Sequence, residues 1–340
     1  MASIDIFRSD AFSMQSLLAA IENIDYKPQF LGSLGLFDPK PQRTRAVMVE
    51  SRDDTLALIQ TSPVGAPPEQ RGADKRSLRT FNTVRIAKGS RIVGDEIQGI
   101  RAFGSETELQ QVQVEVARRM AQLQNDVDLT WEFHRLGAVQ GILVDADGST
   151  LVNYYTAFDV SQPSEVALDI ANTTAGALRP KIEAITRAIV RAAKGAFTTG
   201  SSVMALCGDN FWDDLVNHAE VRTTYLNYEA AAALREPTAF TLFRFAGVTW
   251  VNYRGTDDNS TVAIGTDKAK FFPVNAPGVF QVAWAPAEFI DIANQPGVPL
   301  RPLTLIDPSG RNAWVDVEVY SYPLYLCTRP LMLRSAKRGS

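Results

Sequence analysis

Two histidines, His134 and His218, and two cysteines, Cys207 and Cys327, are all the imidazole and thiol chemistry the chain contains. Both cysteines sit in apolar strings, VMALC and LYLCT, the setting of reduced core thiols; a nucleophilic cysteine needs an electropositive, accessible setting. His134 falls near the end of a long helical pattern, where an imidazole packs or caps. Asp145 and Asp147 precede Gly148 and invite a calcium reading. An EF-hand loop needs a third oxygen ligand before its glycine and a glutamate at its twelfth position, and both are missing here. Asp209, Asp213 and Asp214 surround Trp212, which reads as a helix N-terminus with favourable dipole interactions. The sequence holds no GxxxxGK[ST], GxGxxG, HExxH, GxSxG or CxxC, the patterns that place phosphate cradles, zinc ligands or activated nucleophiles. The expectation is a protein without catalytic residues, cofactor or metal.

Composition points the same way. The 340 residues are 45% apolar with a net charge of −4, enough to bury a large core and without the basic footprint of a sequence-reading nucleic-acid protein. No run of eighteen apolar residues reads as a membrane span, and MASIDIFRSD lacks the apolar core of a signal peptide. A soluble, intracellular globular product is expected.

The element around which the rest is arranged is a long amphipathic helix over Ser105–Gly137. Leu109, Val112, Val116, Met120, Leu123, Val127 and Trp131 recur at steps of three or four, so they share one face. Ser105 and Glu108 form a capping box, and Gly137 is placed to stop the helix. Before it, a short helical stretch (Ser13–Ile24) leads into Lys27–Pro41, an extension punctuated by proline and glycine that reads as an arm with little to pack on. Between arm and helix lie two strand-like runs, Arg45–Thr61 and Leu78–Ile92, joined by a polar tip carrying Pro63, Gly65, Pro67, Pro68 and Gly72. Such a tip is far longer than a core hairpin allows, so the pair reads as a projecting ribbon. Residues 40–91 carry eleven Lys or Arg against five Asp or Glu, which suits either nucleic acid or an acidic neighbouring surface.

After the helix, Val139–Phe158 reads as a hairpin turning on Asp147-Gly148. Ser164–Phe197 reads as helical, with Ile182, Ile185, Ile189 and Ala193 on one face and Gly195 as its stop. A buried strand over Val203–Gly208, a helix over Phe211–Ala219 capped by Asp209 and another over Thr224–Leu234 follow. Strands over Phe240–Tyr253 and Thr261–Phe272 and a short helix over Pro286–Ala293 come next. The last run, Trp314–Leu333, alternates Val315, Val317 and Val319 against Asp316, Glu318 and Tyr320. Helices and strands intermingle without a βαβ rhythm, so the fold class is α+β.

Five segments in this order resemble the lambda-type (E-type) major capsid proteins of tailed bacteriophages, which have the Hong Kong 97-type capsid fold. They are Asp95–Ser105 (DEIQGIRAFGS), Arg135–Gly141 with Asp145–Gly148 and Asn153-Tyr154-Tyr155, Ala285–Ile290 (APAEFI), Val319–Leu324 (VYSYPL), and Thr328-Arg329-Pro330. The resemblance spans nearly the whole chain. It implies an N-terminal arm over 1–43, an extended β-ribbon loop over 44–92 and a peripheral domain over 93–163 with a spine helix (105–136) and hairpin (139–158). An axial domain over 164–303 and a returning strand and tail over 304–340 complete it. It implies a shell subunit that self-assembles into hexamers and pentamers around packaged DNA, held without sequence preference, in a virion assembled in the host cytoplasm. A separate scaffold, a portal and a decoration protein are the implied partners, with no membrane. Contacts between subunits are expected at Pro63, Pro67, Arg71, Lys75, Arg76, Phe30 and Phe37. Some members of this fold cross-link a lysine of the loop to a neighbour; Lys75 and Lys88 lie there, although the lambda-type branch is not expected to do so. A tail-tube or portal-associated protein and an unrecognised soluble enzyme are the competing readings.

Overall fold

A computed structural model of the chain describes residues 27–52, 76–93, 108–171, 176–226, 242–292, 294–307, 309 and 314–339. The helix expected at Ser13–Ile24, the ribbon tip and Ser105 lie outside these residues. The arm makes one helical turn, α1 (Phe30–Ser33), and then a strand, β1 (Asp38–Pro41). The expectation that it has little to pack on is corrected. Leu31 is fully buried, and Phe37 meets Phe280 and Tyr325 edge-on at 5.3 and 5.2 Å.

The ribbon is β2 (Ala46–Arg52) antiparallel to β3 (Arg76–Asn82), in register from Ala46↔Asn82 to Arg52↔Arg76. The single strand expected over Leu78–Ile92 is instead two, because the chain changes partners at residues 83–85. Thr83 N–H donates to Arg45 O, closing the ribbon, and Val84 N–H donates to Pro323 O. The second strand, β4 (Ile86–Val93), therefore belongs to the body of the molecule.

The long helix, α2 (Glu108–Gln140), has 33 residues, about 50 Å at 1.5 Å per residue. Leu123 and Val127 are buried as their spacing requires. Gly137 does not stop it: the helix continues for another turn, and a Cβ on Gly137 would lie 3.0 Å from Ile142 O. This glycine lets the next strand approach, and Gly141, at φ +87°, ends the helix.

The hairpin follows as expected, β5 (Ile142–Val144) with β6 (Thr150–Asn153), and runs into a helical turn, α3 (Tyr154–Ala157), capped by the Asn153 side chain. The helix expected over Ser164–Phe197 is shorter. A two-residue strand, β7 (Val166–Ala167), occupies its start, Gly176 turns the chain at φ +84°, and α4 runs over Leu178–Ala192. Ile182, Ile185, Ile189 and Ala193 are all buried; each isoleucine contributes roughly 1.5–3 kcal/mol of transfer free energy.

Strand β8 (Ser202–Cys207) leads into α5 (Asp209–Asn217) and α6 (Ala219–Leu226). Gly208, not Asp209, holds the cap position, and the chain straightens at His218 (ψ 136°), which divides the expected helix over Phe211–Ala219. The segment expected as one strand over Phe240–Tyr253 is a hairpin, β9 (Leu242–Phe245) and β10 (Val248–Asn252), turning on Ala246 and Gly247, both at positive φ. Strand β11 (Lys268–Val274) starts later than expected and β12 (Phe280–Trp284) follows; the helix expected over Pro286–Ala293 is one 3-10 turn (Ile290–Ile292). The chain closes with β13 (Arg301–Ile306), β14 (Trp314–Ser321), β15 (Pro323–Cys327) and β16 (Arg334–Lys337).

A six-stranded mixed sheet, ordered β7-β16-β11-β8-β10-β9, packs with α4 and α5 around Trp250, Phe271 and Phe211 in the main core. A second sheet, β1-β12-β15, extends that core. A third, β13-β14-β4, lies on α2 through a separate cluster of Ile92, Leu123, Val127, Val317 and Val319. The architecture is α+β, as expected.

Candidate functional site

The residue types capable of chemistry have structural settings. Cys207 and Cys327 are fully buried, and burial pushes the Cys327 thiol up to about 12 and raises that of Cys207, away from any thiolate role. Asp145 Oδ1 accepts from Ala146 N–H, and Asp147 Oδ1 from Ser149 N–H at 2.8 Å, so both carboxylates serve the turn. Among the described residues no cluster of His, Cys, Asp and Glu is arranged to hold a metal, and no helix is long and apolar enough to cross a membrane.

What distinguishes the molecule is a surface. On the ribbon, Val47 and Phe81 are cross-strand partners and point into the main core, where Phe81 meets Phe158 at 5.7 Å. Alternation then turns Met48 and Leu78 outward, 65% and 63% exposed, at diagonal positions across the strand pair. An aliphatic pair this open on a strand ribbon is suited to burial by another chain.

The ribbon's base is fixed by arginines. Arg85 donates through Nε and a terminal nitrogen to Glu288 Oε1 (3.1 and 2.8 Å), and Arg45 reaches Glu288 Oε2 at 3.3 Å. Their guanidiniums also lie over the rings of Tyr320 and Tyr322, at 5.4 and 5.1 Å. The hydrogen bond from Arg85, with help from Arg45, holds the Glu288 carboxyl below the usual range. Arg79 pairs with Asp159 at 2.8 Å and stacks on Phe158. Lys88, considered above as a cross-linking amine, pairs with Asp126 of α2 at 2.7 Å. Between the ribbon base and the body lies a cleft of about 700 Å³, rimmed by Lys40, Arg79, Lys194 and Arg329.

The arm is held at a second node. Glu132 is fully buried in α2, and its oxygens accept from the amides of Leu31 (2.7 Å) and Gly32 (3.0 Å), from Arg135 (3.2 Å) and from the Tyr253 hydroxyl (3.3 Å). The carboxylate thus caps α1 from outside, supplying what Gln29, the residue before it, does not. Burial raises the Glu132 carboxyl above the usual range, and the two amides and Arg135 offset only part of that. Lys27 secures the outer end on Asn125 and Asp128, both at 2.9 Å.

Of the seven residues expected at subunit contacts, Pro63, Pro67, Arg71 and Lys75 lie outside the described residues, and Arg76 begins β3. Phe30 and Phe37 are half-buried against their own chain, Phe30 meeting Tyr253 edge-on at 6.4 Å. Sequence reasoning missed Glu132 and Glu288. Glu288 lies in the APAEFI segment that carries the resemblance, and Glu132 follows Trp131 of the apolar helix face; an acid in an apolar setting is the signal in both.

A family model described as phage major capsid protein E matches residues 13–338. The major capsid protein of Salmonella phage Felix O1 is 24% identical over 355 residues, 95% of each chain. That of Pseudomonas phage KPP10 is 26% identical over 310 residues, 84% of this chain and 86% of the relative. Among solved structures, a protein described as the capsid protein of a prophage in E. coli CFT073 superposes with a TM-score of 0.57 at 16% identity, covering 95% of this chain and 98% of that one.

Proposed function

Because the chain belongs to the phage major capsid protein E family and so forms the icosahedral shell of a tailed phage, we propose how its parts divide that work. Residues 93–163, with α2 and the hairpin, are the peripheral domain, and residues 164–303 the axial domain at the centres of hexamers and pentamers. Residues 44–92 lie across a neighbouring subunit, with Pro63, Pro67, Arg71, Lys75 and Arg76 at that contact. Residues 1–43 are an arm, its Phe30 and Phe37 at the margin of a subunit contact, and 304–340 return the chain to the body. The observation that carries this reading is the outward face of the ribbon, where Met48 and Leu78 are open while the opposite face is anchored. Identical subunits that each offer one such strip can close into rings and shells.

The protein is a structural subunit of the virion. A separate scaffold, a portal and a decoration protein are its partners in assembly, which takes place in the host cytoplasm, and DNA is enclosed without base recognition. Negative-stain microscopy beside size-exclusion chromatography tests the division. Met48→Asp combined with Leu78→Asp is expected to leave a folded subunit and abolish shells. Normal shells from that variant would overturn the role of the ribbon face, and rings or tubes from the parent chain would point to another part of the virion.

A further inference from the structure

Glu132 joins three segments that are far apart in sequence. The amides of Leu31 and Gly32 come from the arm, Tyr253 from the position just after β10 of the six-stranded sheet, and the carboxylate itself from α2. A Cβ on Gly32 would lie 2.8 Å from the Arg135 guanidinium, so arm and helix are in close contact at this point. The ring contacts of α2 with β12 and β15 differ in kind. Trp131 meets Trp284 edge-on at 5.2 Å, and the Arg135 guanidinium lies over Tyr325 at 5.3 Å. Ring faces tolerate sliding because apolar and cation–π attraction is weakly directional, whereas hydrogen bonds weaken steeply with angle. Other hydrogen bonds of α2 run to β4, to β14 and to the outer end of the arm, through Arg119, Trp131 and the Lys27 partners. The bond from Tyr253 to Glu132 is the directional tie described between α2 and the six-stranded sheet.

Its position on the helix amplifies small movements. Glu132 lies 24 residues from the start of α2 at Glu108, a lever of about 36 Å, so a tilt of about 5° at the node carries the far end roughly 3 Å. The β13-β14-β4 sheet packs on the helix through Leu123 and Val127 and travels with it. In a shell built of identical contacts, an error of that size in each subunit changes the curvature at which the shell closes.

We propose that Glu132 is the pin that sets the angle between the long helix and the six-stranded sheet, with the N-terminal arm as its wedge, and that it thereby fixes the curvature each subunit contributes. This rests on the division into peripheral and axial units given above. The pin acts by acceptor geometry. Glu132→Gln keeps the volume but turns an amide nitrogen toward one of the two backbone donors, so one arm bond is lost. Tyr253→Phe removes the bond to the sheet and leaves the arm capped.

The test uses shells assembled by the full chain, with particle diameters measured by cryo-electron microscopy and subunit melting measured alongside. Ile189→Val, a core change remote from the node, is the control for general destabilisation. The spread of diameters is expected to at least double with Glu132→Gln, to rise by a smaller factor with Tyr253→Phe, and to stay at the parent value with Ile189→Val. Parent-like diameters from both node variants would overturn the proposal, as would equal broadening by the control. Should Glu132→Gln fail to fold, Tyr253→Phe decides alone. Hydrogen exchange of the parent chain separates the two layers of the argument. Opening of α2 and the six-stranded sheet as one unit would overturn the division and the pin together, while separate opening with unchanged shells would overturn the pin alone.

Discussion

The six-stranded sheet and the ribbon are both strand structures, and they are stabilised in opposite ways. In β8, five successive residues from Val203 to Cys207 are buried, and Trp250 is enclosed by Phe211, Phe243 and Phe271 at 5.2–6.5 Å. Apolar burial on top of the strand ladders holds that region, and both faces of the strand are used within the chain. The ribbon buries one face, through Val47 and Phe81, and leaves Met48 and Leu78 to solvent. Arginines bound to Glu288 and Asp159 hold it in place. Exposed ion pairs stabilise weakly; what they provide here is orientation. A region that packs for itself is closed on both sides, and a region meant for another chain is fixed at its base and open on one face.

The largest expected effect tests the closed region. Trp250→Ala leaves a cavity among three aromatic rings and is expected to cost about 3–5 kcal/mol, measured by urea unfolding. A loss below about 1 kcal/mol would mean that the sheet is less tightly packed than its burial implies.

Acid comes next. His134 is buried with both ring nitrogens lacking a hydrogen-bond partner among the described residues, and burial lowers it to about 4 from 6.5 despite the Asp145 charge. The folded state thus binds the proton less readily than the unfolded chain. This contribution is fully present above about pH 6.5 and is lost as pH falls to about 4, roughly 3 kcal/mol in all. His134→Leu should flatten that part of the stability–pH curve, and an unchanged curve would remove His134 as its source.

A smaller effect is expected at the start of α4. Pro180 has no N–H to offer there, and the amides of Leu178 and Arg179 both donate to Glu220 (2.9 and 3.1 Å). Burial opposes ionisation of Glu220, but these amides outweigh it and hold its carboxyl below the usual range. Glu220→Ala is expected to cost about 1 kcal/mol, read as a lower urea midpoint with an unchanged slope.

The smallest effect on the isolated subunit belongs to the open face. Met48→Asp is expected to move the unfolding midpoint by less than about 0.5 kcal/mol while shells are lost. A destabilised subunit would show that Met48 is covered by its own chain and would break the contrast between the regions.

The long helix, the Asp147-Gly148 hairpin and the outward acids of β14 were legible because each is a local pattern. The spacing from Met120 to Trp131 marks one helix face, and the alternation of Val315, Val317 and Val319 marks one strand face, whatever covers it. The same patterns misled where the partner changes. Residues 78–92 keep strand character throughout, and nothing in them marks the hand-over at Thr83–Arg85, where Pro323 O and Glu288 take up the chain. Gly137 suggests a stop in the sequence, but a glycine near a helix end has two uses, and the approach of Ile142 distinguishes them.

By itself, then, the sequence determined the long helix and its apolar face, the Asp147-Gly148 hairpin, the apolar face of α4 and, through five ordered segments, the capsid family. Tertiary structure alone decided that Glu132 is buried at a junction of three segments, that β4 leaves the ribbon for another sheet, and that Met48 rather than Val47 faces outward. Periodicity is fixed by backbone geometry within a few residues, whereas the arm amides that bind Glu132 and the strand that β4 joins are distant in sequence and meet their partners only once the chain has closed on itself.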